Sequence, residues 1–128
     1  MAWDVSGAHL YFHYAPPEFA ERIAREAKYL VSGRPHQGHG CGLFVTTLAP
    51  GSLSDQAMFI RLFAAQPGIG AIDGVVILRN LGFVQVAPQV FFLHAPAGAV
   101  IDLTEVLVGY GVRTRTSWTF SPGCHIAR

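Results

Sequence analysis

Two stretches decide the fold of this chain: His-Leu-Tyr-Phe-His-Tyr-Ala-Pro at 9–16 and His-Gly-Cys-Gly-Leu-Phe-Val-Thr-Thr-Leu-Ala-Pro-Gly at 39–51. In the first stretch, polar-tipped rings alternate with mostly apolar side chains. The polar-tipped rings are His9, Tyr11 and His13, and the other set is Leu10, Phe12 and Tyr14. This period of two predicts a strand over 8–14. The prolines at 16 and 17 end that strand. The second stretch predicts a glycine-rich loop followed by a strand over 43–48.

An amphipathic helix is predicted between these two stretches, over residues 17–31. Pro17 suits its first position, and Glu18 and Glu21 suit the positive end of the helix dipole. Gly33 suits a C-terminal stop. The apolar stripe at helical spacing consists of Phe19, Ile23, Ala27 and Leu30.

The rest of the chain is predicted to be rich in β-strands after one more helix. That helix covers about 54–65 and is capped by Ser52 or Ser54. Short apolar runs separated by turn residues then predict strands at 74–79, 82–86, 89–93, 99–104, 106–112 and 115–120. The pattern indicates a single domain, 1–128, of the α+β class, with its helices gathered on one side of mixed or antiparallel sheets.

Composition excludes several function classes. The net charge of +1 offers no basic patch for nucleic acid or for an anionic membrane, and no apolar run reaches the ~18 residues of a membrane span. Apolar residues make up 51% and charged residues 13%, which predicts a large core and a weakly charged surface that favours self-association. Two cysteines favour a reducing, cytoplasmic location over a disulfide framework.

Metal binding and hydrolysis have weak sequence support. The zinc-ligand types near the two cysteines match no standard spacing, so solvated loop side chains and a free thiol are the favoured interpretation: His36, His39, Cys41, Cys124 and His125. No Gly-x-Ser-x-Gly elbow occurs. The glycines at 38, 40 and 42 offer backbone donors for a phosphate, but a strand follows them and not the helix of a dinucleotide fingerprint.

A combination of residues points instead to chemistry at a nucleotide's glycosidic bond. His13 on one strand would hold a ribose hydroxyl, and Phe44, which follows a glycine-rich loop on the next strand, would stack on a flat base. A later carboxylate, Asp102 or Glu105, would stabilise the positive charge that develops on the sugar as the base leaves.

At these residues the chain resembles the ADP-ribosyltransferase domains with a His-Tyr-Asp signature, a clade frequent in bacterial polymorphic toxins. Residues 10–15 are similar to the family's Leu-Tyr-His-Tyr-Thr strand, with one extra aromatic residue. Residues 40–51 fit most positions of its Gly-x-Gly-x-Tyr-Leu-Thr-Asp-Ile-Pro-Pro-Gly pattern, and residues 101–104 have the form of its Leu-Asp-Leu-Thr motif. The resemblance runs in order through roughly residues 9–112.

The resemblance implies a split β-sandwich of two small antiparallel or mixed sheets with two helices, and NAD bound in the cleft between the sheets. It places the ribose-binding histidine at His13, the family's tyrosine at Phe44 and its aspartate at Asp102. Tyr14 and Gly42 complete the expected cofactor-binding set. The implied reaction is cleavage of the nicotinamide–ribose bond, with a protein side chain, a small molecule or water as acceptor.

Two departures from the family pattern keep other functions open. Phe44 lacks the tyrosine hydroxyl, and Thr47 replaces an aspartate. The main rivals are a catalytically silent nucleotide- or ligand-binding domain of the same fold and a small enzyme of secondary metabolism with an aromatic pocket. In isolation, His13 and Phe44 would each more often be core residues, and Asp102 a turn residue. If the sequence is part of a longer protein, the resemblance implies delivery as an effector domain.

Overall fold

The computed structural model describes residues 10–33, 40–51, 54, 57, 72–115 and 117–122. Within them the chain forms one α-helix and nine strands. The elements, in chain order, are β1 (Tyr11–Ala15), α1 (Pro17–Glu26), β2 (Lys28–Leu30), β3 (Gly42–Thr46), β4 (Gly74–Leu78), β5 (Val84–Ala87), β6 (Val90–His94), β7 (Val100–Asp102), β8 (Leu107–Thr114) and β9 (Ser117–Pro122). In the described part of the chain, no helix is long and apolar enough to cross a bilayer.

The strands form two sheets of unequal size, and all neighbouring strands within each sheet pair antiparallel. Seven strands form the main sheet in the order β5-β6-β3-β1-β4-β8-β9, and β2 and β7 form a separate two-stranded sheet. The predicted α+β class with antiparallel sheets is confirmed. The prediction of two small sheets is wrong in size, because β8 and β9 extend the main sheet beyond β4.

Both α1 and the small sheet pack on the same face of the main sheet. The core between these layers joins the alanines of α1 to the inward residues of the sheets: Ala20, Ala24, Ala27, Leu43, Val45, Val76, Leu78, Leu103 and Leu107. A second core covers the opposite face, made of Phe12, Tyr14, Leu48, Ile72, Val75 and Ile77. Hence the alternating side chains of β1 serve two cores, as its period of two requires.

The helix begins where the sequence predicts and ends earlier. Pro17 is its first residue, and the carbonyl of Pro16 accepts from the N–H groups of Phe19 and Ala20 at 3.0 Å. The helix ends at Glu26 because Ala27 adopts the left-handed conformation (φ 53°). The Ala27 carbonyl then accepts the N–H of Leu103 at 2.8 Å, so a tertiary bond replaces the next helical turn.

The predicted last turn of the helix is strand β2, so the predicted stop at Gly33 is wrong. The N–H of Val31 donates to Ala99 at 2.9 Å, which continues the pairing of β2 with β7. Leu30 is 67% exposed on this strand and Phe19 is 46% exposed on the helix, so neither lies on a buried stripe. Small side chains form the buried face of α1 because the helix lies close to β4 and β8.

The second predicted helix, 54–65, falls almost entirely outside the described residues. At its start, the Oγ of Ser54 accepts the N–H of Ala57 at 3.2 Å. This is the capping contact predicted for Ser54.

The close approach of α1 to the sheet generates a stability prediction at Gly74. A Cβ there would lie 2.7 Å from the Ala15 carbonyl oxygen, 2.8 Å from the Pro17 Cα and 3.0 Å from the Ala20 Cβ. Because two of these atoms are backbone, Gly74→Ala should lower the free energy of unfolding by about 1–3 kcal/mol. Urea denaturation measures the change. Gly33→Ala is the matched control, since a Cβ there meets nothing within 4 Å; equal unfolding midpoints for both variants would contradict the packing described.

Candidate functional site

The main sheet is split between its two central strands, β1 and β3. β1 pairs with β4 along all of Tyr11–Ala15, and β3 pairs with β6 along all of Gly42–Thr46. Between β1 and β3, in contrast, the register consists of Phe12↔Thr46 alone. The ladder therefore stops after one pair and leaves a gap in the pairing, here called the split, between 13–15 of β1 and 42–45 of β3.

The predicted cofactor-binding residues all lie on the two strands that border the split. His13 and Tyr14 follow Phe12, the one residue of β1 that pairs with β3. Gly42 and Phe44 precede Thr46, its partner on β3. The sequence places the two stretches far apart along the chain. The antiparallel pairing brings the end of one strand beside the beginning of the other.

His13 bridges the split with its side chain. Its Nδ1 lies 2.8 Å from the carbonyl oxygen of Phe44. Since a carbonyl oxygen only accepts hydrogen bonds, Nδ1 is the donor and carries a proton. In the neutral ring Nε2 is therefore the acceptor nitrogen.

The His13 ring lies between the two sheets. Tyr29 of β2 contacts it with ring centroids 5.1 Å apart and an interplanar angle of 76°. Tyr29 and its partner Ile101 on β7 both pack against the core on the α1 side of the main sheet. The small sheet therefore covers the split on the side where the His13 ring lies.

Phe44 places its ring on the other face of the main sheet. Its neighbours Leu43 and Val45 belong to the core on the α1 side, so strand alternation directs Phe44 away from it. The half-buried ring packs against Phe92 with centroids 4.7 Å apart. Consequently the main chain of Phe44 contacts His13, while its ring lies on the opposite side. The rings of His13 and Phe44 therefore do not face one common cleft in this arrangement.

Gly42 allows Phe92 to lie over the start of β3. A Cβ at Gly42 would be 2.6 Å from the Phe92 Cζ and in conflict with the Leu93 carbonyl oxygen. This contact explains a glycine at 42 by packing. Its predicted role in binding a cofactor stays a prediction.

Tyr14 is buried in the second core, where its hydroxyl is used internally. The hydroxyl donates to the Leu48 carbonyl at 2.7 Å, and the ring meets Trp118 edge-on at 6.5 Å. Burial raises the pKa of the Tyr14 phenol above its ordinary value, and the positive charge of Arg113 partly offsets this rise. Arg113 itself is bonded to Asp73 through Nη2 at 2.7 Å. The structure thus gives Tyr14 a packing role beside the predicted binding role.

The two candidate carboxylates lie on and after β7. Asp102 is exposed, and its Oδ1 accepts from the N–H of Thr104 at 2.9 Å and from the Thr104 hydroxyl at 2.6 Å. Ile101 faces the core, so alternation points Asp102 to the outer face of the small sheet, away from Tyr29. Glu105 is exposed in the turn before β8. The structure brings neither carboxylate between the sheets beside His13.

Zinc candidates fall mostly outside the described residues. Cys41 is described, as a half-buried free thiol before β3, whereas His36, His39, Cys124 and His125 are not. Among the described residues, no group of three His, Cys, Asp or Glu side chains is arranged to hold a metal ion.

Sequence reasoning missed two features of the structure near this core. The sequence predicts Tyr29 in a helix, although the aromatic Tyr29 and the β-branched Val31 also suit a strand. The second feature is a groove of about 200 Å³ between α1 and the β8–β9 edge, lined by Glu21, Ala24, Arg25, Tyr110, Ser121 and Pro122. Only the tertiary fold brings these distant residues together.

Comparisons with protein-family models, with curated proteins and with solved structures find no match to this chain.

The buried hydroxyl of Tyr14 predicts a loss of stability that depends on pH. Tyr14→Phe removes the bond to Leu48 and should cost about 1 kcal/mol near neutral pH. Because the folded-state pKa lies above the unfolded value of 10.0, the wild type holds its phenol proton when the unfolded chain has lost it. Wild-type stability should therefore fall as pH rises above about 10, and the variant should show a shallower fall.

Urea denaturation at about pH 8 and about pH 11 tests this prediction. Burial also raises the pKa of Tyr29, so some alkaline loss should remain in the variant. An equal decline in both proteins would show that Tyr14 is not the buried group responsible.

The turn after β7 predicts different effects for two substitutions at Asp102. Asp102→Ala removes the acceptor of two hydrogen bonds from Thr104 and should lower the free energy of unfolding by about 1 kcal/mol. Asp102→Asn keeps an acceptor oxygen and should lose less. Thermal unfolding measures both. An alanine variant as stable as the wild type would argue against a capping role.

Proposed function

We propose that the chain binds NAD at the split and cleaves its nicotinamide–ribose bond, as an ADP-ribosyltransferase or an NAD glycohydrolase. The observation that carries the proposal is the His13 imidazole, which lies between two sheets with its Nδ1 bound to Phe44 across the split. In the neutral ring this leaves Nε2 as an acceptor, the role required to hold a ribose hydroxyl. Two of the three motifs that resemble the transferase family, those at 10–15 and 40–51, border the split.

The residues bordering the split fit part of what NAD requires. His13 would orient the ribose, and Phe44 would have to turn from Phe92 and from the opposite face of the main sheet to offer its ring to the nicotinamide. NAD would supply the scissile glycosidic bond. The resemblance assigns the carboxylate role to Asp102, and Glu105 is the alternative candidate. Asp102 would have to turn from Thr104 and from the outer face of the small sheet to fill it.

A catalytically silent nucleotide-binding domain is the second candidate, and two contacts favour it. Phe44 has no hydroxyl and packs against Phe92, and the Asp102 carboxylate is occupied by Thr104. A domain with these contacts would retain the acceptor nitrogen of His13 but lack the charged group that helps the base to leave. Binding without turnover is the property that distinguishes it.

Nicotinamide release from NAD tests the proposed reaction. His13→Ala should lower kcat/KM about a hundredfold, because the ribose is no longer held in the reactive orientation. His13→Asn is the matched variant: its Nδ2 occupies nearly the position of the imidazole Nδ1 and can still donate to the Phe44 carbonyl, so it should recover stability without recovering most of the activity. Chromatographic detection of nicotinamide, alongside thermal unfolding of each variant, separates the two effects.

Calorimetric titration with NAD completes the experiment. Binding without release in the wild type would support the silent domain. Release that is equal in the wild type and both His13 variants would remove His13 from the reaction. The absence of NAD binding would overturn the proposal as a whole.

A further inference from the structure

We infer that Tyr29 is a positioning residue of the proposed site, which holds the His13 imidazole in the one orientation that keeps Nε2 as its acceptor. This inference deepens the proposed function and rests on it for its catalytic consequence. The effect of Tyr29 on the orientation and tautomer of His13 can be tested without NAD.

A histidine ring on a strand needs two constraints to keep one orientation. Rotation about the bond between Cβ and the ring is broad and roughly two-fold, so a half-turn exchanges the positions of a nitrogen and a carbon. The Phe44 carbonyl, 2.8 Å from Nδ1, constrains one edge of the ring. A half-turned ring would place a carbon against this carbonyl and lose the bond.

Tyr29 supplies the second constraint from the opposite layer. Its ring stands nearly perpendicular to the imidazole at a centroid distance of 5.1 Å, the edge-to-face geometry that aromatic pairs prefer. Tyr29 is itself fixed, because its main chain pairs with Ile101 in the small sheet and its half-buried ring joins the core on the α1 side. The imidazole is thus held between a main-chain acceptor and a packed ring.

The contact depends on the early end of α1. The left-handed Ala27 turns the chain so that residues 28–30 run as a strand over the main sheet. A helix continued to residue 31 could not pair Tyr29 with β7. The same conformational choice therefore builds the small sheet and brings Tyr29 onto His13.

The test combines two substitutions of Tyr29 with a matched control. Tyr29→Leu removes the aromatic ring, and Tyr29→Phe keeps the ring and removes only the hydroxyl. Tyr11→Leu is the control, because Tyr11 lies on the same face of β1, two residues before His13, and its ring contacts Phe83 at 5.1 Å and Phe91 at 5.2 Å. Loss of a half-buried tyrosine from this core is then common to both leucine variants.

The first measurement is the tautomer of His13, read from its ring ¹⁵N shifts in long-range ¹H–¹⁵N NMR spectra of the neutral ring. His13→Gln assigns the resonances. We expect the wild type, Tyr29→Phe and Tyr11→Leu to keep the proton on Nδ1, and Tyr29→Leu to show a mixture of tautomers. Unchanged ¹⁵N shifts in Tyr29→Leu would overturn the inference, and so would equal shifts in Tyr29→Phe and Tyr29→Leu.

The second measurement is nicotinamide release. Tyr29→Leu should lower kcat/KM about tenfold, while Tyr29→Phe stays close to the wild type. If no protein in the set releases nicotinamide, the proposed function fails, and the NMR result still decides the role of Tyr29. If Tyr29→Leu does not fold, the wild type provides the decision: a nuclear Overhauser effect between the two rings supports the contact, and its absence overturns it.

Discussion

The hydrogen bond from His13 to the Phe44 carbonyl is the interaction on which the rest of the site depends. Where the ladder between β1 and β3 stops, a main-chain carbonyl inside the sheet needs another donor. The His13 side chain supplies it at 2.8 Å. The bond satisfies this carbonyl across the split and favours the tautomer with the proton on Nδ1, so Nε2 is the acceptor nitrogen of the neutral ring. His13 thus both satisfies a main-chain carbonyl and carries the acceptor nitrogen of the proposed site.

The layer above the split is shaped by small residues. Ala20, Ala24 and Ala27 allow α1 to lie close to the main sheet, where Gly74 leaves room for it. The left-handed conformation of Ala27 ends the helix and starts the small sheet on the same face. As a result the His13 ring lies between two β layers, with Tyr29 above it. The imidazole is therefore half-buried, beside the aromatic ring of Tyr29.

Strand alternation has the opposite effect on the other expected site residues. Phe44 lies between the core residues Leu43 and Val45, and Asp102 follows Ile101, which packs against the same core. Alternation therefore points both side chains out of the layer that holds His13. Phe44 packs against Phe92 and Asp102 caps a turn through Thr104. In the proposed enzyme, a bound ligand would draw these two side chains toward His13, whereas in a silent domain they would stay where they are. To move, Phe44 would have to give up its contact with Phe92, and Asp102 its bonds with Thr104.

The sequence by itself determined the strands at β1, β3 and β4, the start of α1 and the α+β class, because alternation, proline and apolar runs act locally. It also predicts His13 as a candidate site residue, and the structure places this histidine at the split. Only the tertiary structure decided the end of α1, where the Ala27 carbonyl binds Leu103 instead of continuing the helix. The same holds for the face on which Phe44 and Asp102 point and for the contact of Tyr29 with His13. Local preference is similar for helix and strand at 28–31, and pairing with the distant β7 settles the choice.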